Sequence, residues 1–260
     1  MSATSTFLAE KLLAFLDGTA WTPPAGVEVG LFVTPLNADD LGTEVSGGGY
    51  VRKTVSFAPA VDGSIASFDA ITWTPLDSAT TRTIFGWGIY DDSSGDLLFH
   101  GRFTTPFTVA ANRTLTLAAG AITISRPSGE GLTASFATSW LDKVLRAQSF
   151  TAPAALYLGM FTEAPDGDGV GGTEVTGGSY ARQAQALTVA STVGTFGAVD
   201  FTPLDSVEAN AVVAHGWWDA SSGGNLIAWR YTYDDTDLDL DVAAGDTLDV
   251  ADTVLRMKPR

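Results

Sequence analysis

Catalysis needs titratable, nucleophilic or metal-binding side chains that converge, and few of the 260 residues offer that chemistry. There is no cysteine, and the two histidines are His100 and His215. They occupy unlike places in the sequence, His215 aligning with Trp87 when the two halves of the chain are matched, so neither a Ser/His/Asp nor a Cys/His arrangement is supported. Thr74 to Ser78 and Thr202 to Ser206 both read TPLDS, placing an aspartate beside a serine twice. The flanking proline and leucine fit an Asp or Ser turn better than a nucleophile. The segment from Asp166 to Glu174, DGDGVGGTE, sets Asp166, Asp168 and Glu174 in a glycine-rich loop of the kind that can feed oxygens to calcium. Its spacing is not that of an EF-hand and the first half has no equivalent acidic pair, so it reads as a solvated loop. Asp234, Asp235, Asp237, Asp239 and Asp241 alternate with Thr236, Leu238 and Leu240. That is the period of a half-exposed strand whose charges discourage edge pairing, and calcium binding is the other reading.

Two further groups have a binding chemistry to weigh. Trp217, Trp218 and Trp229 could stack on sugar rings, and because neighbours on a strand face opposite ways, one of Trp217 and Trp218 is expected at the surface. Glycines 47, 48, 49, 177 and 178 form runs that could cradle phosphate, but no lysine or helix start follows them, so they read as ordinary loops. The sequence therefore assigns no catalytic residue, no cofactor-binding residue and no metal ligand, and predicts a protein that is not an enzyme.

The elements that must carry these residues come in two copies. Gly42 to Arg52 reads GTEVSGGGYVR and Gly172 to Arg182 reads GTEVTGGSYAR, matching at eight of eleven positions with a spacing of 130. WTPLDS from Trp73 returns as FTPLDS from Phe201, DDSSGDLL from Asp91 as DASSGGNLI from Asp219, and VAANRTLTL from Val109 as VAAGDTLDV from Val242. The period is too long for a solenoid repeat and suits a domain, which predicts two homologous modules, 1–127 and 128–260.

Each module opens on an amphipathic stripe. Leu8, Leu12, Phe15 and Leu16 mark a helix near Phe7 to Leu16, closed by Gly18, and Phe136, Trp140, Leu141, Val144 and Leu145 mark another near Phe136 to Leu145 with no closing glycine. Each helix is expected to pack on its own module. Period-two segments follow: Val27, Val29, Leu31 and Val33 in one copy, Leu156, Leu158 and Met160 in the other. Further strands are predicted at Tyr50 to Phe57, Ile65 to Trp73, Thr83 to Tyr90, Leu97 to Phe103, Thr114 to Leu117 and Ala121 to Ser125, with hairpins at Ser93 and Ser221. The fold class is mainly β: two tandem antiparallel β-sandwich, jelly-roll-like domains, each opening with a short α-helix.

Composition narrows the partners. Hydrophobic residues make up 45% of the chain, enough for a core in each half. The net charge of −16 divides into −5 over 1–127 and −11 over 128–260, which disfavours nucleic acid and anionic membrane surfaces. The N-terminus lacks a basic region and a small-residue cleavage site, and no apolar run is long enough to span a bilayer, so a soluble protein made in a cytoplasm is expected.

The combination of an amphipathic opening helix, TAPAALYLGMFT, GTEVTGGSYARQ, a hairpin ending GGNLIAW and a closing VAAGDTLDV resembles the β-sandwich modules labelled tail fibre protein in tailed bacteriophages. These are similar to virion accessory proteins, including capsid decoration proteins. The resemblance covers both copies and implies a structural protein of the virion, synthesised in the host cytoplasm and present in several copies. Its partners would be the major capsid protein or tail proteins, with a host-surface glycan as a further ligand if it binds receptors. Fibres usually carry extended trimerising segments, and this chain shows none, which favours capsid decoration over a tail fibre.

Overall fold

The computed structural model describes residues 2–4, 6–35, 42–126, 131–176, 180–190, 193–201, 212–231, 248–250 and 254–256. The second TPLDS, Gly177, Gly178 and the Asp234 to Asp241 stretch lie outside them.

The first half runs β1 (Ser2–Thr4), α1 (Thr6–Leu16), β2 (Val27–Phe32), β3 (Lys53–Thr54), β4 (Ser64–Ala66), β5 (Ile71–Trp73), β6 (Arg82–Asp91), β7 (Leu97–Val109), β8 (Leu115–Leu117) and β9 (Thr123–Ser125). The second half runs β10 (Gly131–Leu132), α2 (Ala134–Arg146), β11 (Leu156–Glu163), β12 (Thr173–Glu174), β13 (Gln183–Gln185), β14 (Leu187–Ala190), β15 (Val193–Phe196), β16 (Val199–Phe201), β17 (Ala214–Trp218), β18 (Leu226–Tyr231), β19 (Leu248–Val250) and β20 (Val254–Arg256). All the pairings are antiparallel.

The main sheet of the first half has the order β1-β7-β6-β2-β3, and β4 with β9 and β5 with β8 form short ladders of their own. In the second half β10-β18-β17-β11-β12 repeats that central order, with β14-β15-β20 and β16-β19 as the smaller ladders. Val29, Leu31, Ile84 and Ile89 of one layer share a core with Ile65, Trp73, Leu117 and Ile124 of the other. This is the sandwich that alternating apolar residues predict.

The central strands form where the sequence placed them, and β6 and β7 extend beyond the expected ends to Asp91 and Val109. Two expectations are corrected. Tyr50 to Phe57 is regular only at Lys53–Thr54, because Tyr50 and Arg52 are held by side-chain bonds instead of a ladder. Ile65 to Trp73 is two strands, β4 and β5, paired with β9 and β8 respectively. The short N-terminal strand β1, which pairs with β7 through Ala3 and His100, had no apolar alternation to announce it.

Both helices form as their stripes predict. Gly18, at φ 78°, follows the end of α1 and donates to Phe15 O at 3.0 Å. α2 starts at Thr133, whose hydroxyl accepts from Phe136 N, and ends with Ala147 in the left-handed conformation at φ 52°. Lys143 and Arg146 in its last turn complement the helix dipole, so this helix closes without glycine. Leu8, Leu12, Leu13, Phe15 and Leu16 of α1 are buried. Each such side chain contributes about 1.5–3 kcal/mol, so packing rather than intrinsic propensity holds so short a helix.

Their surroundings differ from the expectation of a helix seated on its own module alone. α1 packs on β7 of its own half and also on β14 and β15 of the other, while α2 packs on β18 and also on β4. The apolar core is accordingly continuous through both halves. No helix among the described residues is long and apolar enough to cross a membrane.

Candidate functional site

The repeated GTEV…YxR block builds the same polar clasp twice, and it is the most complete side-chain constellation among the described residues. Thr43 and Val45 run beside β2, with Val33 N donating to Thr43 O and Val45 N to Leu31 O, both at 2.8 Å. Between that stretch and β3 the ladder is interrupted, which leaves the Leu31 N–H without a strand partner. The Tyr50 hydroxyl fills the gap: it accepts from Leu31 N at 2.8 Å and donates to Glu44 Oε1 at 3.3 Å. Arg52 completes the unit with a forked pair, Nε to Oε1 at 2.9 Å and Nη2 to Oε2 at 2.8 Å, and its guanidinium lies 3.4 Å above the centre of the Tyr90 ring. A Cβ on Gly30 would come within 2.5 Å of Glu44 Oε1, so glycine is what lets the carboxylate lie down on the strand.

The second clasp follows the first atom for atom. Met160 N donates to Tyr180 Oη at 2.8 Å, Tyr180 donates to Glu174 Oε1 at 3.1 Å, and Arg182 forks onto Glu174 with Nε and Nη2 both at 2.7 Å. Trp218 replaces Tyr90 under the guanidinium at 4.0 Å, and Arg182 Nη1 also donates to the carbonyls of Ala220 and Gly223 in the β17–β18 turn. Burial pushes the hydroxyls of Tyr50 and Tyr180 well above the ordinary tyrosine range, and Tyr90 is pushed up to about 12 by burial and by the Glu44 charge. The hydrogen bond to Glu44 holds Arg52 above the ordinary arginine value. At neutral pH these phenols stay protonated. The unit ties a loop to a strand and supplies neither base nor nucleophile.

TPLDS in the first half serves the same loop. Asp77 is buried; its Oδ1 accepts from Ala79 N at 2.8 Å and Thr80 N at 3.0 Å, and its Oδ2 from Arg82 Nε at 2.7 Å. These bonds, the Ala79 N–H first, hold the carboxyl below the usual aspartate range. Arg82 reaches on to Ser46 O at 2.8 Å and Ser78 N donates to Gly48 O at 2.9 Å, so Asp77 fastens the glycine run to the start of β6. Glycines 47, 48 and 49 have φ of 79°, 60° and 86°, and a Cβ on Gly48 would collide with the Asp77 carboxylate. The run therefore cradles a carboxylate of its own chain. Gly48→Ala is expected to destabilise the protein by about 2–3 kcal/mol, from left-handed strain plus displacement of a carboxylate held by three bonds. Chemical denaturation of the purified variant checks this, and a loss below about 0.5 kcal/mol would contradict the packing described.

The remaining sequence candidates do not converge. Asp166 Oδ1 accepts from Asp168 N and Val170 N, both at 2.9 Å, closing a turn that holds its carboxyl below the usual range, the Val170 N–H contributing most. Asp168 pairs with Arg126, and Glu174 belongs to the second clasp. No group of three or more histidine, cysteine or acidic side chains suited to a metal occurs among the described residues. His100 and His215 are buried in the sheets of different halves.

Trp217 and Trp218 are both buried, at 2% and 5% exposure, which corrects the expectation that one of them faces outward. The two lie on opposite faces of the strand, but both faces are covered: Trp217 stacks on Phe196 at 5.2 Å in the main core, and Trp218 lies under Arg182 and packs on Phe161 at 5.0 Å. Trp229 is buried against Tyr231. None of the three offers an open ring to a sugar. The sequence showed the clasp residues only as a diagnostic motif, although retention of glutamate, tyrosine and arginine at fixed spacing in both copies was the signal of their joint role.

A family model described as podophage GP4 fiber I protein gp80 matches residues 3–125 and again residues 131–257. The chain belongs to this podophage fiber family. The two matched stretches are the two repeats, each containing one clasp, so the family unit is the single module and this fiber-family chain holds two. No protein in the curated set matches it.

Proposed function

We propose that the protein is a non-catalytic structural component of a tailed-phage virion, placed in a fibre, where its two modules act as a rigid display unit. The observation that carries this reading is the fiber-family match over both modules. The site geometry supports it: the motifs that distinguish the sequence are spent on intramolecular clasps and turns, and the described residues contain no base poised beside a nucleophile. Binding to neighbouring virion proteins would be non-covalent, driven by buried apolar surface and opposed by the entropy of association.

Capsid decoration is a second reading, favoured by the compact shared core of the two halves. Copy number separates the two. A fibre protein is expected in a small multiple set by tail symmetry, whereas a decoration protein scales with the capsid lattice. Gel densitometry of purified virions against the major capsid protein, with gold labelling to locate the chain, is expected to show the small tail-bound number. A number that follows the lattice would move the protein to the capsid.

A further inference from the structure

The two helices do more than close their own sandwiches. α1 lies against β15 of the second half, and α2 lies against β4 of the first, and β4 and β15 occupy equivalent places in the repeat. A Cβ on Gly194 in β15 would come within 3.2 Å of Leu13 Cδ2, showing how closely α1 seats there. In the other direction Thr138 Oγ1 accepts from Gly63 N at 2.8 Å and Asp142 Oδ1 accepts from Ala60 N at 3.0 Å. The links after the helices repeat the relation: Trp21 packs on Trp140 of α2 at 5.5 Å, and Phe150, its counterpart, packs on Phe15 of α1 at 5.3 Å. Phe15 and Trp140 meet at the centre, 5.3 Å apart.

Contacts in which element i of one unit touches j of the other, and j touches i, characterise an isologous two-fold interface. We infer that the helix face of each module is a self-recognition surface whose partner is the homologous module, and that it holds the two halves together without the peptide link between them. The chain is in this sense a two-fold dimer made continuous. Its helix faces are saturated internally, so contacts with other virion proteins fall to the outer surfaces. There the halves are unlike: among the described residues the first exposes Val51, Val61 and Phe68 and the second Val170, and the second carries most of the net negative charge. Fusion keeps one internal interface while presenting two different external ones.

The test uses the full chain with a protease recognition sequence inserted between Arg126 and Gly131. After complete cleavage the two fragments are expected to elute together at the volume of the uncleaved protein and to unfold in one transition. Separate elution, or precipitation on cleavage, would overturn the inference. Thr138→Ala combined with Asp142→Ala removes the bonds from α2 to Gly63 and Ala60, along with the Asp142–Arg146 pair inside the helix, and leaves the cross-module bonds of Arg126 to Gly167 and Asp168 in place; in the cleaved protein it is expected to weaken fragment association about 10- to 100-fold. Phe15→Ala with Trp140→Ala is expected to separate the fragments at micromolar concentration. Undiminished association in both variants would show that the helices are not the recognition surface.

Discussion

Arg182→Ala is expected to cost about 3–4 kcal/mol of stability. The guanidinium side chain is 9% exposed and serves four acceptors at once: both oxygens of Glu174 and the carbonyls of Ala220 and Gly223. It also covers Trp218. Truncation leaves the carboxylate half-buried beside a strand with no cation, and orphaned buried charge is what makes breaking such pairs expensive. Arg52→Ala in the first clasp is expected to cost less, about 1–2 kcal/mol, because that side chain is 28% exposed and makes two hydrogen bonds, both to Glu44, where Arg182 makes four. Lysine at 182 should recover little, since a single ammonium cannot reproduce the fork or lie flat on an indole. Denaturant titrations of the full chain read the difference, and thermal melts should show a fall of about 6–16 °C for Arg182→Ala. Glu174→Ala combined with Arg182→Ala should lose less than the sum of the two single changes. Equal, small losses at positions 52 and 182 would show that the clasp does not couple loop to strand.

Acidification from pH 7 to pH 5 is expected to reduce stability through His215. Its side chain is 1% exposed, neither ring nitrogen has a hydrogen-bond partner, and Trp217 meets the ring edge-on at 5.0 Å. Burial, and secondarily the charge of Arg230, lowers its pKa from the ordinary 6.5 to about 4. Above about pH 6.5 the imidazole is neutral in both folded and unfolded chains, and the group contributes no pH dependence. As pH falls below that value the unfolded chain takes up a proton that the folded chain refuses. Stability therefore declines toward about pH 4 and levels off once the folded imidazole is also protonated. The full loss is about 3 kcal/mol, at up to about 1.4 kcal/mol per pH unit. His100, lowered by burial and then by Arg102, acts in the same direction. The lowered carboxyls of Asp77, Asp91 and Asp166 add their own loss only at lower pH, near the ordinary aspartate range and below. The pH 5 to 7 window thus isolates the histidines. His215→Phe, which keeps an aromatic ring there, is expected to remove close to one proton from the slope of denaturation midpoint against pH. An unchanged slope would mean that His215 is not the group responsible.

Much of this architecture was legible in the residues because its causes are local. Period-two alternation in Val27 to Leu31 and Leu156 to Met160 places one face of a strand in a core wherever that strand lies, and the stripe from Leu8 to Leu16 does the same for a helix. Self-similarity at 130 residues declared two copies of one fold before any contact was known. The glycines at 47 to 49 announced a turn that only they can make. Side chains acting across long separations left a weaker mark. Glu44, Tyr50 and Arg52 are close in sequence, yet their role depends on the unpaired Leu31 N–H and the ring of Tyr90, which alternation and composition do not locate.

The burial of Trp218 depended on Phe161 of the neighbouring strand and on an arginine 36 positions earlier in the chain. Alternation put the two tryptophans on opposite faces, as observed, and was silent on the cover that the second face receives. The seat of each helix was also beyond local reading. An amphipathic stripe states that an apolar face must be covered and is silent on what covers it, and β7 satisfies α1 in the same currency of buried area as do β14 and β15. The sequence by itself determined the helices and central strands, their duplication and which of their faces are apolar. The tertiary structure alone decided that the two modules cover each other, because apolar burial is non-directional and a choice between equivalent faces is made only by the geometry of the whole packed chain.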